Sequence, residues 1–142
     1  MPAFATTKKQ HLSLLEGYEW EYNPAIYSEM QKQDSQILKD LIQDPLVPPV
    51  KRLRAILALQ SFADNETLHF LLDMMKNSSN NTINSYILAS LMGSFTKDYN
   101  KEILDIIKSK INNAKKSFIK QSLQALKKIN TPEAINFLND FL

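Results

Sequence analysis

Apolar residues recur along most of this chain at three- and four-residue spacing, the period of a helix with one buried face. The pattern is clearest at Ile37, Leu38, Leu41 and Ile42, at Val50, Leu53, Ile56 and Leu57, and at Leu68, Leu71, Leu72 and Met75. It predicts a helix over residues 25–43, either continuous and exposed or broken near Asp34-Ser35, where MQKQDSQ weakens the stripe. Pro48-Pro49 then starts a helix near residue 49, because a proline pair fits where the first N–H groups have no intrahelical partner. Asp64 is placed to cap a partner helix running to about Lys76, with Glu66 in its first turn, where the dipole favours an acid. NSSNN at 77–81 is a linker, followed by helices at 82–95 and 99–111 and then at 114–129 and 132–142. Thr131, Pro132 and Glu133 form a helix-start signal. Upstream, residues 1–9 are predicted loose, residues 11–16 form a short helix ended by Gly17, and the alternation of aromatic and Glu over 18–22 reads as extended.

The same chemistry repeats. Residues 56–75, ILALQSFADNETLHFLLDMM, return 67 residues later as LQALKKINTPEAINFLNDFL, with Ala58, Leu59, Glu66, Phe70 and Leu71 falling on Ala125, Leu126, Glu133, Phe137 and Leu138. A more diverged copy lies between them, ILASLMGSF at 87–95 followed by EILDII at 102–107. Phe62, Phe95 and Ile129 are 33 and then 34 residues apart, a period of one helical hairpin per repeat, which signals stacked α-repeats. The chain has only two Gly and no Asn-Gly or Asp-Gly pair, so antiparallel hairpins are disfavoured and an all-α fold is expected. The expected domain is single: an N-terminal segment over 1–48 and three hairpins over 49–142.

The segment QSLQALKKINTPEAINFLNDFL resembles the short HEAT-like repeat found in phycobilisome lyase subunits, and RAILALQSFADNETLHFLLDMM resembles a second copy. Ala125-Leu126 and Pro132-Glu133-Ala134-Ile135 match that pattern well. Ala58-Leu59, Glu66 and Leu68 match it less well, with Asn65 in place of Pro, and the middle copy keeps only apolar positions. The resemblance covers about residues 49–142. It implies a short right-handed α-α superhelix, a HEAT-like solenoid of three helical hairpins with the N-terminal segment as a cap. It says little about function, since such repeats serve as scaffolds, adaptors, inhibitors and occasionally enzymes.

Charge alters the picture at one end. Residues 97–128 carry nine Lys against three acids, a net of +6 in a chain whose total is +2. Lys115, Lys116, Lys120 and Lys127 are the candidate contacts for a polyanion, with Lys116, Lys120 and Lys127 on one helix face. Arg is scarce and no aromatic interleaves with these lysines to stack bases, so nucleic-acid binding is the alternative reading, not the first. The chain has no Cys, which excludes disulfides and thiolate metal sites, and no apolar run near the ~18 residues of a membrane span. A cytoplasmic location is the default expectation.

Chemistry-bearing motifs are few. The two histidines, His11 and His69, make no His-x3-His pairing, and there is no Gly-rich loop or nucleophile elbow. No metal, cofactor or catalytic residue is expected. An enzymatic reading would need Glu19 or Glu21 beside Trp20 in an aromatic cleft. His69 and Asp73 are read as a solvated i,i+4 pair on the second helix of the first hairpin, with Glu102 and Asp105 exposed on the second helix of the next. Tyr18, Trp20, Tyr22 and Tyr27 are either anchors for a partner or a cap folded onto the first helices. Phe137 and Phe141 lie off the core stripe of the last helix and either bury against neighbours or form an apolar patch, suited to a partner or to a homodimer through the C-terminal edge.

The function expected from these features is a non-enzymatic protein–protein interaction module. Small Asn/Lys/Ile-rich α-repeat chains include bacterial adaptors and toxin-neutralising immunity proteins, which makes adaptor, scaffold or inhibitor the expected roles. The partner-facing candidates are Tyr18, Trp20, Tyr22, Tyr27, His69, Asp73, Glu102, Asp105, Phe137 and Phe141.

Overall fold

The computed structural model describes residues 7–142, which contain α-helices, one 3-10 turn and no strand. The helices gather into two compact units that meet in sequence between Thr67 and Leu68.

In the first unit, α1 (Lys8–Leu14) opens on a capping box: the Thr7 hydroxyl accepts the Gln10 N–H at 3.2 Å, and the Gln10 side chain accepts the Thr7 N–H. Residues 7–9, expected to be loose, are therefore ordered, because reciprocal capping satisfies two donors that a short helix would otherwise leave open. Residues 1–6, expected to be loose as well, lie outside the described residues. Gly17 adopts φ of 115°, a conformation that costs a residue with Cβ, and it turns the chain out of this helix.

Next come α2 (Pro24–Tyr27), capped by the Asn23 side chain, and α3 (Lys32–Gln43). The break in the expected helix falls at residues 28–31 and not at Asp34-Ser35. Asp34 accepts the Gln31 N–H at 2.8 Å and the Ser35 hydroxyl donates to the Lys32 carbonyl at 2.7 Å, so both polar residues serve the first turn of α3 from inside it. α4 (Pro49–Ala58) starts at the proline pair as predicted and tightens into the 3-10 turn Leu59–Ser61. α1 packs on α3 and α3 on α4 around Leu15, Leu38, Leu41, Ile56 and Leu59, all buried. The first residues of α5 (Asn65–Asn77) close this unit, with the Asp64 carboxylate accepting the Thr67 N–H at 2.8 Å, the predicted cap.

The second unit holds the rest of α5, then α6 (Asn81–Ser94), α7 (Thr96–Lys110), α8 (Lys116–Ile129) and α9 (Pro132–Phe141). α7 begins three residues before the predicted start, but its backbone is non-helical at Tyr99 (φ −131°, ψ 29°), so the expected boundary survives as a kink. Thr131 caps α9 through the Ala134 N–H at 3.2 Å, and Asn130 takes the left-handed conformation (φ 52°) that ends α8. The core is built from Leu68, Leu71, Met75, Ile87, Leu91, Phe95, Ile103, Ile107, Phe118 and Leu126. Polar side chains tie segments 32–36 residues apart to one another: Gln121 donates to the Ser85 carbonyl 36 residues earlier, Lys128 to Met92 at the same separation, and Lys110 to the carbonyls of Lys76 and Ser78.

Small polar residues sit where helices approach. The hydroxyls of Ser90 and Ser122 are fully buried and have no partner among the described residues. Removing a buried, unpaired hydroxyl relieves a desolvation cost, and Ala favours helix over Ser. Ser122→Ala is therefore expected to stabilise the protein by about 1 kcal/mol, a rise in Tm of roughly 3 °C by differential scanning calorimetry. A lowered Tm would mean that the hydroxyl is satisfied in solution.

Candidate partner-binding surfaces

His69, Leu72, Asp73 and Lys76 share one face of α5, and Glu102, Asp105, Ile106 and Ser109 share one face of α7; helical spacing alone aligns each set of four. Together they line a groove of about 340 Å³ within the second unit. Leu72 is half-buried and Ile106 is buried, so an apolar strip lies between exposed carboxylates. Four of the sequence candidates, His69, Asp73, Glu102 and Asp105, thus meet in one place. His69 and Asp73, read as a solvated i,i+4 pair, both line the groove, and neither side chain forms a hydrogen bond or ion pair with another described residue. Glu102 is likewise unpaired among the described residues, and Asp105 reaches only the exposed Lys101 at 3.7 Å. Leu72, Lys76, Ile106 and Ser109 were not among the partner-facing candidates read from the sequence, although their offsets of three, four and seven residues from His69 and Glu102 carry the signal.

The aromatic segment is divided. The Trp20 indole N–H donates to the Leu14 carbonyl at 2.8 Å, and the Arg54 guanidinium lies 5.6 Å from the Trp20 ring while donating to the Leu15 carbonyl at 2.7 Å. Those two carbonyls end α1 and have no helical partner, so Trp20 and Arg54 supply its C-terminal cap. Tyr22 stacks on Tyr27, which meets Phe62 edge-on, and the Tyr22 hydroxyl lies 2.6 Å from that of Ser61. Trp20, Tyr22 and Tyr27 therefore fold back onto their own unit, and Tyr27, 3% exposed, has no surface to offer a partner. Tyr18 alone is fully exposed.

A second cleft of about 500 Å³ lies beside these aromatics, lined by Tyr22, Tyr27, Gln31, Gln60, Phe62 and Asp64 among others. Glu19 and Glu21 are exposed and are not in its wall, so the carboxylate-in-aromatic-cleft arrangement is not formed by them. Burial, and then the neighbouring Tyr22, pushes the Tyr27 phenol from 10.0 up to about 12. The folded protein thus holds this proton at pH values where the unfolded chain has released it. The associated stability is complete below pH 10 and is lost as pH rises towards 12. Chemical denaturation across that window is expected to show a decline on the order of 1–2 kcal/mol that Tyr27→Phe removes. Equal declines in both proteins would show that Tyr27 titrates normally.

Phe137 and Phe141 pack against each other at 6.3 Å and are half-buried, with the Lys108 ammonium 5.6 Å from the Phe137 ring. Lys108 also donates to Glu133 at 2.9 Å, a contact that holds the Glu133 carboxyl below its usual range. The lysine-rich end is likewise divided. Lys108, Lys110 and Lys128 are engaged with groups of their own unit, whereas Lys115, Lys116, Lys120 and Lys127 are exposed and their side chains have no partner among the described residues. No group of three or more His, Cys, Asp or Glu side chains suited to a metal ion occurs among the described residues, and no helix there is long and apolar enough to cross a membrane. No protein-family model, curated protein or solved structure matches this chain.

Proposed function

We propose that this chain is a non-enzymatic protein-interaction module built from HEAT-like helical hairpins, acting as an adaptor, scaffold or inhibitor. The observation that carries this reading is the groove between α5 and α7. Second helices of successive hairpins contribute one face each, and the side chains of His69, Asp73 and Glu102 there have no hydrogen-bond or ion-pair partner among the described residues. Stacked repeats characteristically bind along such a row of equivalent helices. The hydrogen bonds at 32–36-residue separation within the second unit support the hairpin period.

The test is affinity capture from native lysate, with and without nuclease, eluted in a salt gradient. A stoichiometric protein that survives nuclease and moderate salt supports the reading. Recovery of nucleic acid that leaves at modest salt, and that the combined Lys116→Glu, Lys120→Glu and Lys127→Glu variant fails to retain, would replace it with the polyanion reading.

A further inference from the structure

Resting on the interaction-module reading, we infer that the α5–α7 groove takes an amphipathic segment of a partner that sets Lys or Arg against Asp73, Glu102 and Asp105 and an apolar side chain against Leu72 and Ile106. Three features of the groove select this class of occupant. Its length is that of its lining residues, eight residues on each helix from His69 to Lys76 and from Glu102 to Ser109, or about 10 Å over seven helical rises, matching two turns of a docked helix. Its floor is apolar, with Ile106 6% exposed and Leu72 half-buried, so it holds water poorly and gains by covering.

Its rim is acidic and electrostatically open. Asp73 and Glu102 have no cation among the described residues, and the partner of Asp105, Lys101 at 3.7 Å, is itself 70% exposed. Lys76 is the one cation of the wall. Three carboxylates around it leave a net negative rim, so long cationic side chains can lay their stems on Leu72 and Ile106 while their heads reach the acids. An acidic or phosphorylated segment would meet like charge from Glu102 and Asp105 along α7 and from Asp73 on α5, with Lys76 the one opposite charge in the wall.

The probe is a fluorescent helical peptide of about four turns with Leu at core spacing and Lys at the flanking positions, alongside its Glu counterpart. The full chain is expected to bind the Lys peptide saturably below about 1 mM and to ignore the Glu peptide. Methyl shifts of Leu72 and Ile106 should move during the titration. Asp73→Lys combined with Glu102→Lys should weaken binding at least about tenfold, while Asp140→Lys, an exposed acid on α9, should leave it unchanged. All three positions are exposed, so the variants are expected to keep the wild-type Tm, which is measured first. Absent saturation, equal binding of the two peptides, a less than threefold effect of the double reversal, or shifts confined to other residues would each overturn the inference. A protein captured in the lysate experiment that binds the double reversal as tightly as wild type would keep the module reading and overturn this one alone.

Discussion

Asp34→Ala is expected to lower the folding stability by about 3–5 kcal/mol, a large share of the total for a domain of this size. Asp34 is 1% exposed and His11 is fully buried; their side chains meet at 2.9 Å between α1 and α3. The Nδ1 atom of His11 has no partner among the described residues, so the ring proton belongs on Nε2, where it donates to the Asp34 Oδ1. The second oxygen of the same carboxylate accepts the Gln31 N–H at 2.8 Å. Truncation therefore removes a cap of α3 and leaves a buried imidazole with neither nitrogen satisfied. Urea denaturation of Asp34→Ala, His11→Leu and the double variant separates these effects. The double variant should recover part of the loss, because removing both buried partners leaves no orphaned polar group, and the coupling should be about 2 kcal/mol. A cost below about 1 kcal/mol for Asp34→Ala would show the pair to be dispensable.

Phe95→Ala is expected to cost about 3–5 kcal/mol, and Ile129→Ala only about 1–2, although the two residues fall at equivalent positions of the proposed repeat. Phe95 is fully buried where α6 hands over to α7, with its ring 6.2 Å from that of Tyr99 at the kink. Ile129 ends α8 and is only half-buried. Deleting a fully buried aromatic ring opens a cavity that surrounding helices fill only partly, whereas water already reaches the Ile129 site. Denaturation midpoints of the two variants measure the difference. Equal losses would mean that local burial does not set the energetics at these two sites.

Much of this architecture is local in origin and so was readable along the chain. Helix period, the start at Pro48-Pro49, the Asp64 cap and the Thr131-Pro132-Glu133 start depend on residues within a turn or two of one another, and each appears where those residues place it. Even the Tyr99 boundary persists as a kink inside α7. What depended on distant residues was not readable. Asp34, a hydrophilic residue in a weak stripe, suggested a break until its position beside His11, 23 residues earlier, gave it a buried role. Trp20 and Tyr22 read as anchors or, by preference, as cover, and the α1 carbonyls and Ser61, distant in sequence or beyond a turn, supplied the contacts that make them cover.

The groove shows the same division. Sequence alone puts His69 and Asp73 on one helical face, and Glu102 and Asp105 on another, because spacing along a helix determines its faces. Only the packing of the second unit brings those faces together over Leu72 and Ile106, since the distance between two helices is decided by the side chains buried between them.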